Sequence, residues 1–260
     1  LGAAVAARLI DGGSAPLFAV FAACLAGMCA GAVTGWLTTK LKIPALLAGI
    51  LTMIALYSVN LRVMGKANLS LLRRDTIFTG FSGLFADRQL AVLLVGCVAV
   101  LLLSLLFYWF FGTEIGAAIR ATGFNLHMIR ANGVNTDVTV ILGLLLSNGL
   151  VAISGALVAQ SNGFADVGMG VGTIVIGLAS VIIGEVLFGA DGFLKLLFGA
   201  NAFLISVILG SVVYRAVIAL VLEMGMPPND LKLFTAILVG AALALPLLQK
   251  KLQTARKAVK

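Results

Sequence analysis

Between Leu90 and Phe111 the chain runs LAVLLVGCVAVLLLSLLFYWFF without one charged residue. A stretch of this kind is long enough to cross a hydrocarbon core as a helix, which takes about 20 residues. Its apolar residues are continuous rather than alternating, so a spanning β-barrel strand is excluded. The aromatic ending Tyr108-Trp109-Phe110-Phe111 suits a membrane interface. The rest of the chain agrees: it is 61% hydrophobic and 11% charged, with mean hydropathy +1.14. Soluble domains carry about 25% charged residues. The expected fold class is an all-α polytopic membrane protein.

Further runs are read as spans at Pro16–Thr39, Ile43–Val59, Val138–Gln160, Thr173–Phe188, Leu196–Leu222 and Leu231–Leu248. With Leu90–Phe111 that makes seven, in one transmembrane domain over residues 1–260. The apolar run Leu1–Ile10 is too short to span, so an incomplete first helix and a further upstream piece are expected. Within Pro16–Thr39, Gly27, Gly31 and Gly35 recur at four-residue spacing. That places a side-chain-free strip on one helix face, where another backbone can approach closely.

The net charge of +8 does not indicate nucleic acid, because Lys250, Lys251, Arg256, Lys257 and Lys260 crowd into the tail. A basic tail beyond an apolar helix is a cytoplasmic topology signal. Alternation then places Lys40, Lys42, Arg120, Arg130 and Lys195 inside as well. Outside fall Arg8, Arg62, Lys66, Arg73, Arg74, Arg88 and Lys232.

Chemistry-bearing clusters are scarce. Cys24, Cys29 and Cys97 are odd in number, lie in apolar runs and form no CxxC pair, which argues against disulfides or zinc. His127 is the one histidine, so no HExxH metal site exists. Gly168, Gly170 and Gly172 follow no strand and are not a dinucleotide loop; flexible backbone beside a broken helix is the expectation there. No enzyme activity, metal or cofactor is expected.

The polar interval Gly112–Asp137, GTEIGAAIRATGFNLHMIRANGVNTD, interrupts this pattern. Thr113–Thr122 has good helix formers with Gly123 at a plausible stop, and Asn125 can cap a second short helix, Leu126–Ala131, ending at Gly133. The expectation is two short helices joined by a tight turn outside the membrane. A solvated loop with local helix is the plainer alternative.

The residues Gly116-Ala-Ala-Ile-Arg120-Ala-Thr-Gly-x-Asn125, then Ala131-x-Gly133-Val-Asn135, resemble the cytoplasmic coupling segment of ABC-importer permeases of the branched-chain amino acid and simple-sugar type. The runs Ser147–Gln160, Gly163–Asp166 and Gly177–Glu185 are similar to the same group. The resemblance implies a bacterial inner-membrane subunit that has no ATPase of its own. It would pair with a second permease subunit, two cytoplasmic ATP-binding subunits and an extracytoplasmic substrate-binding protein. The ATPase would be met by Arg120, Asn125, Leu126, His127, Met128, Ile129, Arg130, Ala131 and Gly133. The absence of GxxxxGK[ST] agrees. An amino acid-like solute is favoured, with an ion-gradient-driven secondary transporter as the alternative function.

Other candidates remain two-sided. Arg62, Lys66, Arg73, Arg74 and Arg88 form either a docking surface for an acidic binding protein or a solvated loop. Asn148, Ser154, Glu185 and Arg215 are pathway candidates; interhelical hydrogen bonds, a structural ion pair or a snorkelling side chain are the alternatives. Gly49–Ile54 echoes Gly177–Ile182, which suggests an inverted repeat or a chance match in apolar sequence.

Overall fold

The computed structural model describes residues 1–72, 74–82, 88–188, 202–225, 233–234, 237 and 240. Two compact units divide the chain, Leu1–Met169 and Gly170–Lys260.

The first unit is built from α1 (Gly2–Asp11), α2 (Pro16–Thr39), α3 (Ala45–Met64), α4 (Ile77–Ser82), α5 (Arg88–Gly112), α6 (Glu114–Phe124), α7 (Leu126–Ala131) and α8 (Thr136–Asn162). Prolines open the early spans: Pro16 is the first residue of α2 and Pro44 caps α3. A proline there loses no helical hydrogen bond, because the first N–H groups have no partner anyway. Left-handed glycines close two spans, Gly65 after α3 (φ 71°) and Gly163 after α8 (φ 76°).

The seam of the unit is the contact of α2 with α8. A β-carbon on Gly27 would meet the carbonyl oxygen of Asn148 at 2.6 Å, and one on Gly35 would meet Ile141 Cα at 3.0 Å. One on Gly31 would run into the Leu144 carbonyl. Successive glycines along α2 meet successively earlier residues of α8, so the two helices are antiparallel and the strip faces backbone. Thr34 adds a hydroxyl contact from α2 to Thr52 of α3 at 2.9 Å.

α1 is too short to span, as its run length indicates, but it is integral to the unit. Ala3, Ala4, Ala6, Ala7 and Ile10 are buried with Ala19 and Ala23 of α2 and Ala156 and Ala159 of α8. Alanines bring helix backbones close without leaving voids. Met64, Leu69, Leu71 and Ala165 close this core at one end.

That end also carries a short two-stranded ladder, where no strand is expected from the sequence. β1 (Asn68–Ser70) pairs antiparallel with β2 (Phe164–Asp166), with Leu69 opposite Ala165. The backbone bond from Leu71 N–H to the Gly163 carbonyl, 2.7 Å, extends the ladder. Arg74 reaches Asp11 at 3.1 Å, and the Ile77 N–H donates to Gln160 Oε1 at 3.0 Å. The ends of α1, α3 and α8 are thus tied together on the side opposite Lys40 and residues 112–137.

The second unit packs α9 (Thr173–Phe188) against α10 (Ala202–Glu223). Gly210 lies on the Ser180 carbonyl and Gly184 on the Ser206 carbonyl, so this pair also meets backbone to backbone. Tyr214 and Ala179 are buried in the contact among Ile176, Ile183 and Ile218.

Among the described residues, five helices are long and apolar enough to cross a membrane: Pro16–Thr39, Ala45–Met64, Gln89–Gly112, Thr136–Asn162 and Ile205–Glu223. The protein is an all-α polytopic membrane protein, and the described residues include one small ladder. α3 runs past the expected Val59 to Met64. α9 holds a shorter apolar helix, Ile176–Glu185. Residues 196–201, almost all of the expected Leu231–Leu248 span and the basic tail lie outside the described residues.

Candidate functional site

Residues 112–137 form two short helices fixed at every joint. Thr113 caps α6: its hydroxyl donates to the Phe110 carbonyl at 2.6 Å and accepts from the Gly116 N–H at 3.3 Å. Glu114 in the first turn adds negative charge at the positive helix end. Gly116 is buried because α6 folds back on α5; a β-carbon there would meet Phe111 Cα at 2.6 Å and the Phe110 carbonyl.

The stop expected at Gly123 is not used. α6 continues to Phe124, and a β-carbon on Gly123 would meet nothing within 4 Å. The break falls at Asn125, whose extended backbone (φ −153°, ψ 100°) ends α6 and starts α7 together. Its N–H bonds back to the Ala121 carbonyl at 3.0 Å. Its Oδ1 accepts from His127 N–H at 3.1 Å and Met128 N–H at 3.0 Å. α7 closes at Gly133 (φ 80°), with Val134 N–H donating to the Ile129 carbonyl at 3.3 Å. Asn135 then caps α8 through Asp137 N–H at 3.0 Å.

Both short helices are pinned to α8. The Thr122 and Thr139 hydroxyls meet at 2.9 Å in a buried contact. Arg130 Nε donates to Thr136 Oγ1 at 2.8 Å, and its guanidinium lies 3.5 Å from Asp137. Ile129 turns inward and is buried. Phe124 is 92% exposed, and Leu126, His127 and Met128 also face out. Arg120 is half-buried on α6, while Ala131 and Gly133 are exposed. The arrangement is a stiff, partly apolar projection outside the spans.

The sequence marks Asn125 as a cap and Leu126–Ala131 as a helix, but it does not separate the buried Ile129 from its exposed neighbours or show the roles of Thr113, Thr122, Thr136, Thr139 and Asn135. Thr113 and Asn135 carry a local signal, a capping residue before a helical run. The Thr122–Thr139 contact has none, being tertiary.

The other candidates fall in separate places. Arg62 and Lys66 are exposed at the end of α3, whereas Arg74 is engaged by Asp11. Arg73 and the Arg88 side chain lie outside the described residues. Asn148 is half-buried, and the bond its Nδ2 makes among the described residues is to the Leu144 carbonyl of its own helix at 2.8 Å. Ser154 is exposed on α8, Glu185 on α9 and Arg215 on α10. Arg215 thus points away from the α9–α10 contact that its neighbour Tyr214 enters. Among the described residues no cluster of His, Cys, Asp or Glu is placed to hold a metal ion.

A sequence model of the family described as "Branched-chain amino acid transport system / permease component" matches residues 1–243. The "Tyrosine transport system permease protein" of Clostridioides difficile (strain R20291) is 40% identical over 244 residues, 94% of this chain and 78% of that protein. An uncharacterized protein of Rickettsia prowazekii (strain Madrid E) is 35% identical over 249 residues, 94% of this chain and 83% of that one. No solved structure gives a significant match. The chain is a multi-pass membrane protein and a transport subunit rather than an enzyme, and it belongs to the family of permease components of branched-chain amino acid transport systems.

Proposed function

We propose that this chain is the transmembrane subunit of an ABC importer in a bacterial inner membrane, carrying an amino acid and driven by a separate ATPase that docks on α7. The single observation that carries the reading is the projection at residues 112–137. Three capped joints and two links to α8 make it rigid, yet it exposes Phe124, Leu126 and Met128 outside the spans. Exposed apolar side chains on a stiff element suit a partner surface. Movement of that partner would be passed on to α5 through the Gly116 fold-back and to α8 through Thr139 and Thr136. The residues Arg120, Asn125, Leu126, His127, Met128, Ile129, Arg130, Ala131 and Gly133 form the docking element.

The name of the Clostridioides relative favours tyrosine as the solute. A second permease subunit, two ATP-binding subunits and an external substrate-binding protein complete the assembly. Among the described residues, Arg62 and Lys66 are the cations best placed to meet the binding protein, since Arg74 already has Asp11.

The test is copurification of the tagged chain from its own membranes, followed by reconstitution and uptake of labelled tyrosine. ATP-dependent uptake is expected, and it is lost when Leu126–Ala131 is replaced by a Gly-Ser linker. Uptake that needs an ion gradient and no ATP defeats the reading, as does full ATP-driven uptake by the linker variant.

A further inference from the structure

A cavity of about 200 Å³ lies within the first unit, walled by Cys24 and Met28 of α2, Leu103 and Phe107 of α5, and Gly149 and Ile153 of α8. Its floor is Gly149 with the Met28 side chain laid against it; a β-carbon on Gly149 would meet Met28 Cγ at 2.8 Å. Cys24 and Met28 sit near the middle of α2, and Gly149 near the middle of α8. The cavity is therefore at the depth of the hydrocarbon core. Its third wall stands off because α5 packs chiefly on α4 and α6, at its two ends. Leu106, also on that wall, is 55% exposed, so the cavity opens outward beside it.

The lining decides the occupant. Trp109 on the rim carries an indole N–H, but almost no polar surface faces the cavity, and thiol, thioether, aromatic ring and alkyl groups offer no strong donor or acceptor. Water needs two to four polar partners in a cavity and has none here. A zwitterionic solute would lose its hydration with nothing to replace it. An empty void forfeits the dispersion contacts of its walls. Lipid tails are as apolar as leucine, so nothing drives α5 inward to close the gap, whereas a tail can enter it. We propose that this cavity holds an acyl chain of a bilayer lipid, entering beside Leu106 and ending over Gly149.

The experiment uses the full chain, in the complex as purified, in vesicles of phosphatidylethanolamine and phosphatidylglycerol. A trace of phosphatidylcholine with a diazirine at mid-chain is included. After irradiation, peptide mapping is expected to place lipid adducts on Met28 as well as on Leu101, which is 62% exposed on α5. Filling the cavity by Gly149→Leu is expected to abolish the Met28 adduct and leave the Leu101 adduct unchanged. Leu103→Trp fills it from the opposite wall, in case Gly149→Leu disturbs folding, and the same loss is expected. Labelling of Leu101 without Met28 in the wild type overturns the proposal, as does a Met28 adduct that survives in a folded filled variant. A cross-link from Cys24 to another protein chain would show a helix as the occupant and also overturn it.

Discussion

The hydroxyls of Thr122 and Thr139 meet at 2.9 Å, buried between α6 and α8. Each also contacts a carbonyl of its own helix, Ala118 at 2.7 Å and Thr136 at 3.0 Å. Each hydroxyl has one proton, so one of them must direct it across the contact rather than along its helix. Thr122→Val or Thr139→Val alone leaves the partner oxygen with less than its full complement. A loss of about 0.5–1.5 kcal/mol is expected for each single change, and less than their sum for the double change. Thermal unfolding in detergent, read as a double-mutant cycle, checks this. Additive losses would mean the hydroxyls do not interact.

Asn125 ends α6 through its backbone N–H and starts α7 through its side chain, so replacing the side chain acts on α7. Asn125→Ala leaves the His127 and Met128 N–H groups uncapped, and a cost of about 1 kcal/mol is expected. Asn125→Asp keeps the accepting oxygen and places a negative charge at the start of α7, and it is expected to behave as wild type. Hydrogen exchange over residues 126–131 should quicken in the alanine variant only.

The glycine strip gives a paired test. Gly31→Leu drives a side chain into the Leu144 backbone, which cannot yield as a side-chain tip would. Loss of folded material by size-exclusion chromatography is expected. Gly49 also lies within a span, in the second turn of α3, but a β-carbon there meets nothing within 4 Å. Gly49→Ala is expected to be neutral or mildly stabilising, by up to about 1 kcal/mol.

Gln160 is fully buried, and its Oε1 takes the Ile77 N–H. Gln160→Leu keeps the bulk and removes that acceptor. The orphaned N–H should cost about 1–3 kcal/mol. Faster exchange at residues 77–80 with an unchanged α2–α8 contact is the expected pattern.

For the proposed binding-protein contact, Arg62→Glu with Lys66→Glu should slow association and flatten its salt dependence, because exposed charge steers encounter. Arg74→Ala should do less, since that side chain is 48% exposed and paired with Asp11. Its ion pair is worth about 0–1 kcal/mol. Surface plasmon resonance with the purified binding protein distinguishes the two.

The sequence carries whatever is written in local spacing. Apolar run length gives α2, α3, α5 and α8; the four-residue glycine period marks the face α2 turns to α8; Asn125 before Leu126 marks a cap. It does not carry what depends on chain segments far apart. β1 and β2 are three residues each and stabilise only as a pair, so neither has a periodicity of its own. The partner of Arg74 lies 63 residues back. Run length marks the first ten residues as too short to span but does not show the alanine face that α2 and α8 cover. Gly123 read as a helix stop because glycine commonly is one; Asn125, able to serve as both end and start, displaced it.

The α2–α8 seam has a mechanical consequence. Where glycines seat on backbone, a helix cannot creep along its neighbour by small adjustments of side chains. The next matching seat is four residues on, about 6 Å away at 1.5 Å per residue. Sliding would have to cross that step whole, so the two helices are set to move as one body. A push received by α8 at Thr136 and Thr139 would therefore carry α2 with it rather than shear the seam.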